Sequence, residues 1–358
     1  MNRREFLKIL ALSAGASAAL PAAAMLPALA SGEWPGLASQ GLADRVAMGG
    51  ALHWEVPQIG MVATGSGACG MLRQLHGTLP HLARSVAIDT SPFVLHRTMA
   101  DRSVRVGESA DKITDPKALR IQAAAARSDM RDALAGLDLV WMLTSLGGHA
   151  GTGIAPIVAD VARELAIPVI AASITPFDFE GARRNQIAQA GLGAITRRVT
   201  ASIELPNAAF DSDDDEVLLD AVLGRVTHDF GQLCRTTSSI LSQDGLIGVD
   251  LADFRAAMTQ ARGRVAFGHG AGAGPDAGQA AFSAAANHML LGAERLRGAK
   301  GAFVAIQLKS AKQAMPTISA VMQSMNAAVD DPDALVIYGA QLESDLAGDV
   351  SMSIMAAG

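Results

Sequence analysis

The sequence is short of cysteine, of aromatic rings and of excess positive charge, and each shortage closes off a class of function. Its 358 residues include two cysteines, Cys69 and Cys234. Two are too few for a disulfide framework or a thiolate metal cluster. The eight histidines are scattered, with no HExxH-like spacing, so no structural metal is expected. Aromatic residues make up 4%, with a single tyrosine, which leaves no stacking platform for single-stranded nucleic acid. The formal net charge is −6 and no basic stripe marks a nucleic-acid partner. A small anionic ligand would need local backbone amides rather than a global positive field. What the chain has in quantity is apolar residue, 50% of the total, enough to bury the cores of two domains.

Residues 1–30 read as a leader. Arg3-Arg4-Glu5-Phe6-Leu7-Lys8 precedes an alanine-rich apolar run that ends in Ala28-Leu29-Ala30, an A-x-A type cleavage site. The paired arginines followed by x-Phe-Leu-Lys resemble the twin-arginine export signal. The competing interpretation is an amphipathic or membrane-anchoring helix. Pro21, Pro27 and the many alanines weigh against a span, which needs about 20 strongly apolar residues. The leader implies an exported, periplasmic or membrane-associated protein, cytoplasmic if the leader is unused. Residues 31–54 form a linker.

The rest alternates apolar runs with helical patterns. Residues 58–63 form a strand that enters Thr64-Gly65-Ser66-Gly67-Ala68-Cys69-Gly70, after which Met71, Leu72 and Leu75 recur at helical spacing. Residues 85–90 form a second strand ending at Asp89. The alanine-rich stretch 116–137 predicts one helix. Residues 137–143 are a third strand, running into Gly147-Gly148-His149-Ala150-Gly151-Thr152-Gly153 and a helix with Pro156 in its first turn. Residues 167–174 are a fourth strand and 200–206 another. Such alternation predicts a parallel sheet with right-handed crossovers. A long helix is expected over 214–243, its acidic start suiting the positive end of the helix dipole. A second, mixed sheet follows, with strands at 264–268, 301–308, 333–340 and 347–356. Helices near 275–296 and 311–328 lie between them, and 271–278 reads as a flexible loop.

Two glycine-rich turns carry the chemistry. Gly65-Ser66-Gly67-Ala68-Cys69-Gly70 formally matches GxGxxG, and Asp89 lies 24 residues after Gly65, where a dinucleotide fold places a ribose-binding acid. An exported Rossmann oxidoreductase is therefore a rival. The turn at 147–153 argues against it. Four glycines in seven residues at a strand-to-helix junction make a concave array of amides suited to a di- or triphosphate. A plain tight turn is the bland alternative.

Residues 146–160, LGGHAGTGIAPIVAD, resemble the signature loop of the tubulin/FtsZ family and its helix. The resemblance spans roughly 58–357. It implies a Rossmann-like nucleotide-binding domain (55–213), a long central helix (214–243) and a smaller α+β C-terminal domain (244–358). It implies GTP or GDP, with Mg²⁺, on Gly65 to Cys69 and on Gly147 to Gly153. Residues 174–184 are similar to the segment that reaches ribose and phosphates, so Glu180 and Arg184 would touch nucleotide. Leu205-Pro206-Asn207 matches the next strand end and adds Asn207. Residues 245–254 look like the synergy loop that enters the next subunit's site, where Asp250 and Asp253 would polarise the attacking water. On their own, two acids at that spacing read as solvated helix caps. The resemblance implies head-to-tail self-association.

The departures from the family cluster at this chemistry. Gly70 stands where the first loop usually ends in Asn. Lys112-Ile113-Thr114-Asp115-Pro116 replaces a glycine run, and Asp115 is expected to repel a terminal phosphate. Ala208 replaces a guanine-reading Asp, a loss of roughly 1–3 kcal/mol in base discrimination. Gly248 replaces an Asn, and His149-Ala150 replaces Gly-Thr. The last strand runs to the final residues, so the family's adaptor-binding C-terminal peptide is not expected. A non-hydrolysing nucleotide-binding scaffold on the same fold is the alternative that these losses motivate. Cys69 and Cys234 read as small buried thiols.

Overall fold

The structure, a computed structural model, describes residues 56–107, 115–210, 219–242 and 245–358. The leader, the linker at 31–54, residues Lys112 to Thr114 and the acidic stretch 211–216 lie outside the described residues.

Apolar runs in the first half become the strands of one sheet. β1 (Ile59–Thr64), β2 (Leu82–Asp89), β3 (Arg102–Arg105), β4 (Leu139–Ser145), β5 (Val169–Thr175) and β6 (Ala201–Pro206) pair in the order β3-β2-β1-β4-β5-β6, all parallel. β1 and β5 are buried along their whole length, because helices cover both faces of a parallel sheet. On one face lie α1 (Ser66–Leu75) and the central helix, whose Leu72, Phe230 and Leu233 join Trp141 in one core. On the other lie α3 (Pro116–Ala125), α4 (Arg127–Leu134), α5 (His149–Glu164) and α6 (Ala182–Thr196), packed through Leu119, Met130, Ile154 and Ile195. α2 (Pro92–Thr98) follows β2, capped by Ser91, whose hydroxyl accepts from the Val94 amide at 3.4 Å. β3 has a single buried residue, Val104, and so left no apolar signal in the sequence.

Several expectations change. The helix expected over 116–137 is two, α3 and α4, separated at Ala126, which leaves helical geometry with φ −89° and ψ 14°. No glycine or proline marks that break. Pro156 is not in the first turn of its helix: α5 begins at His149, so the glycine loop itself forms the first turn and Pro156 lies in the interior. The proline removes one hydrogen bond there. The stretch 271–278 is not one flexible loop. Its start completes β7 (Val265–Gly272) and α9 (Ala277–Ala286) begins at its end. The glycines of β7 serve packing, since a Cβ at Gly270 would meet the Ala285 amide nitrogen at 2.5 Å.

The central helix, α7 (Leu219–Ser242), ties the two sheets together. Trp141 Nε1 of β4 donates to Ser238 Oγ at 3.2 Å, and the Trp141 ring meets Phe230 edge-on at 5.9 Å. Thr236 Oγ1 bonds Ser353 Oγ of the second sheet at 2.6 Å. That sheet runs β7-β10-β8-β9, with β8 (Gly301–Leu308), β9 (Leu335–Leu342) and β10 (Val350–Ala357). β10 is antiparallel to β7 and β8, while β8 and β9 are parallel, so the sheet is mixed. α8 (Leu251–Met258) packs on β8, with α10 (Ala293–Arg297) and α11 (Ala314–Ala328) completing the domain. Among the described residues no helix is long and apolar enough to cross a membrane.

Candidate functional site

The carboxyl ends of the six parallel strands share one edge, the place where open α/β sheets bind ligands. β1 ends at Thr64 and turns through Gly65, whose amide donates to the Ile88 carbonyl at 3.3 Å, tying the turn to β2. β4 ends at Ser145 and turns through Gly147 and Gly148 into α5. Gly147 has a φ of +88°, which disfavours any L side chain, and a Cβ there would meet Pro176 Cγ at 2.7 Å. Its amide donates to Thr152 Oγ1 at 3.1 Å. Gly151 brings the first turn of α5 against both strand ends: a Cβ would strike the Ser145 carbonyl and come within 3.1 Å of the Thr64 carbonyl.

Both helices that open here lack a side-chain cap. Gly65 precedes α1 and Gly148 precedes α5, and neither supplies an acceptor. The first-turn N–H groups of two helices are thus left to a ligand, with the positive ends of both dipoles behind them. They face a cavity of about 1220 Å³, ample for a nucleotide.

Most of the expected binding residues line this cavity. Gly65, Ser66, Gly67, Gly147, Gly148, His149, Ala150 and Gly151 form one wall, and Glu180, Arg184 and Asn207 another. Ala68, Cys69, Thr152 and Gly153 stand behind the wall and hold it. Cys69 is 1% exposed, and burial, followed by the nearby Asp89 carboxylate, pushes its thiol up to about 12. Gly153 backs onto the Pro116 carbonyl of α3.

Glu180 is engaged within the protein. One carboxylate oxygen accepts from the Phe177 amide at 2.9 Å, and the other pairs with Arg184 Nε at 3.0 Å. Arg183 lines the cavity beside them. Asn207 Oδ1 is buried with no hydrogen-bond partner. Residues that sequence reasoning left out of the binding set also line the space. Ser145 follows the third apolar run, and the Phe177 and Phe179 rings stack at 4.9 Å. Leu223, Val226 and Thr227 of α7 close the far side. Their helical spacing looks the same as any core face, so no sequence signal marked them. Asp89 lines the cavity too. The sequence had flagged it for a different cofactor.

The strand order is that of a dinucleotide-binding fold as well, so comparison with known proteins decides between the two. Residues 64–212 match the Tubulin/FtsZ family, GTPase domain, and residues 263–358 match the FtsZ family, C-terminal domain. The chain belongs to the tubulin/FtsZ family. It is similar to the cell division protein FtsZ of Pseudomonas aeruginosa, 35% identical over 206 residues, covering 54% of this chain and 49% of that protein. It thus spans about half the length of that relative. With the FtsZ of Azotobacter vinelandii it shares 28% identity over 313 residues, covering 85% and 78%. A solved FtsZ from M. jannaschii, described as an empty dimer, superposes with a TM-score of 0.77 at 24% identity, over 89% of this chain and 92% of that one. That likeness shows the fold.

Within this tubulin/FtsZ frame, Asp250 and Asp253 lie apart from the cavity of their own chain. Neither lines it, and both belong to the start of α8 in the C-terminal domain. Asp250 is the N-cap of α8, its Oδ1 accepting from the Asp253 amide at 2.7 Å. Burial, then the neighbouring Asp250, holds the Asp253 carboxyl above its ordinary range. Asp115 departs from expectation. Its carboxylate does not line the cavity; it caps α3, accepting from the Lys117 amide at 3.1 Å and the Ala118 amide at 3.4 Å.

Proposed function

We propose that the chain is an FtsZ-like protein that binds GTP or GDP on its two glycine loops and self-associates head to tail. The observation that carries this reading is the pair of uncapped helix N-termini facing one cavity, within a chain of the tubulin/FtsZ family. The recorded dimer of the M. jannaschii relative supports self-association. Among the described residues no three His, Cys, Asp or Glu side chains converge on a metal position. A magnesium ion would therefore take its ligands chiefly from phosphates and water, as that ion commonly does. Its part would be to neutralise phosphate charge.

In the assembled form, Asp250 and Asp253 of one subunit would complete the site of the next and orient the attacking water for in-line displacement. The two acids lie apart from their own chain's cavity, as a shared site requires. Hydrolysis should then rise with protein concentration, and Asp250→Ala should abolish that rise. An unchanged rate and concentration dependence in the variant would rule out the shared site. A non-hydrolysing scaffold remains the second reading, favoured by the side-chain substitutions at His149, Ala208 and Gly248. It predicts nucleotide binding with no phosphate release at any protein concentration.

The leader at 1–30 belongs to the same proposal: the protein would cross the membrane folded, with nucleotide already loaded. Mutating Arg3 and Arg4 to Lys should retain it in the cytoplasm, as fractionation would show.

A further inference from the structure

Negative charge is concentrated in one place in this chain. Residues 211–216 read Asp211-Ser212-Asp213-Asp214-Asp215-Glu216, five acids and no base. The formal net charge is −6, so the remainder carries −1 (−6 plus 5). Such a run is either a solvated face or an interaction segment. Its flanks fix where it is attached. The chain enters it from the turn Asn207–Phe210, beyond the carboxyl end of β6, and leaves it for α7. Asn207 before it and Leu223 after it both line the cavity, so the acids are tethered at the cavity end of the molecule.

A groove of the opposite charge, about 660 Å³ in volume, lies elsewhere. It opens where the two sheets meet, at the bridge between Ser202 of β6 and Arg264 beside β7. Three exposed arginines line it: Arg197, which follows α6, Arg264, and Arg295 of α10. Among the described residues none of the three pairs with an acid side chain or with the chain terminus. Arg295 Nη1 donates to the Leu290 carbonyl at 3.1 Å. The one acid side chain in the groove, Glu204, is occupied: its Oε1 accepts from Thr175 Oγ1 at 3.3 Å and Gln189 Nε2 at 3.5 Å. Unpaired guanidinium groups suit carboxylates, which they can hold through two parallel hydrogen bonds.

Within one chain the two features sit at opposite ends of β6, since Ser202 is near its start and Pro206 is its last residue. The groove shares its end with α8. Leu251 and Arg255 of α8 line one cleft with Asp138 and Pro168, the residues that precede β4 and β5. Head-to-tail stacking turns the α8 end of one copy toward the cavity end of the next. The arginines of one copy then meet the acids of the other. We propose that the groove at Arg197, Arg264 and Arg295 is a docking site for a second copy of the chain, and that its occupant is that copy's acidic stretch 211–216. This inference rests on the head-to-tail reading above. Single exposed ion pairs contribute little. The effect is collective, with complementary ends steering encounter and fixing register.

Sedimentation velocity of the full chain with GTP, at about 0.05 M and about 0.5 M KCl, reads the contact. The wild type should self-associate more weakly at the higher salt. The groove variant is Arg197→Glu with Arg264→Glu. The stretch variant is Asp213→Lys with Asp214→Lys and Asp215→Lys. Each alone should associate roughly tenfold more weakly than wild type at the lower salt. Mixed in equal amounts they should regain wild-type association, because each then meets its opposite charge on the other copy. Thermal melts establish that both variants fold. Should the groove variant not fold, Arg197→Gln with Arg264→Gln takes its place, and unchanged association there refutes the groove. Wild-type association in either reversed variant alone, or no recovery on mixing, overturns the docking site while leaving head-to-tail assembly intact. A wild type that stays monomeric with GTP refutes the head-to-tail reading itself, and this inference falls with it.

Discussion

Gly151 has no room for a side chain, because the Ser145 and Thr64 carbonyls close over its α-carbon. Gly151→Val should therefore lift the first turn of α5 off the strand ends. Nucleotide affinity should drop at least tenfold, and stability should fall by about 1–3 kcal/mol, the usual penalty of overpacking. A GDP titration and a urea melt measure the two effects. The cysteines give a second expectation at this scale. Burial raises the Cys69 thiol to about 12 and drives Cys234 well above its ordinary value. The thiolate is the reactive form, so both should resist a disulfide reagent in the folded protein at about pH 8 and react on denaturation. Fast labelling of either in the native state would contradict their packing. At residue scale the glycines of the loops were legible in the sequence because turn chemistry is local. Asn207 was legible by resemblance. Leu223, Val226 and Thr227 were not, since a helical face that borders a cavity has the same periodicity as one that meets a core.

Among the elements, α8 isolates a cap from a catalytic role. Asp250 bonds the Asp253 amide as N-cap. Asp250→Ala should destabilise the chain by about 1 kcal/mol, whereas Asp250→Asn should cost little, since both residues cap well. If assembly-dependent hydrolysis fails in both variants, the charge matters beyond the cap. A loss confined to the alanine variant would reduce Asp250 to a structural residue. The long apolar strands β1, β4 and β5 were legible because both faces are buried and the run is continuous. β3 was not, with only Val104 turned inward. The break at Ala126 was invisible for a related reason. It is imposed by packing, as Leu119 and Met130 reach one core from two separate segments. Pro156 lies deeper in its helix than the sequence implies because the glycine loop is itself helical from His149 onward.

The whole molecule depends on the seam between α7 and the second sheet. There His269 Nδ1 meets Ser353 Oγ at 3.0 Å, and His288 Nε2 meets Asp229 at 3.1 Å. Burial lowers His269 from 6.5 to about 4, against the attraction of Asp229. The folded form therefore prefers the neutral ring. Its stabilising contribution is complete above pH 6.5 and is lost as pH falls from 6.5 toward 4. Thermal melts should show stability declining through that window, and His269→Gln should flatten the decline. A steeper loss in the variant would place the acid sensitivity elsewhere. At this scale the two-domain plan was legible from the change of rhythm after the central helix. The seam was not, since its partners are far apart in the chain, by 59 residues for His288 and Asp229 and by 117 for Thr236 and Ser353.

That seam gives the central helix a mechanical character. Near its start, Val226 and Thr227 border the cavity; near its end, Thr236 and Ser238 are bonded to Ser353 and Trp141. The two sets are roughly 14 Å apart along one rod at 1.5 Å per residue. One helix thus spans both places, like an axle. A rotation of α7 on filling the cavity would be expected to register at its far end, in one hydroxyl pair and one indole bond that belong to different sheets. Replacing Thr236 by Val would leave the axle in place and loosen its bearing.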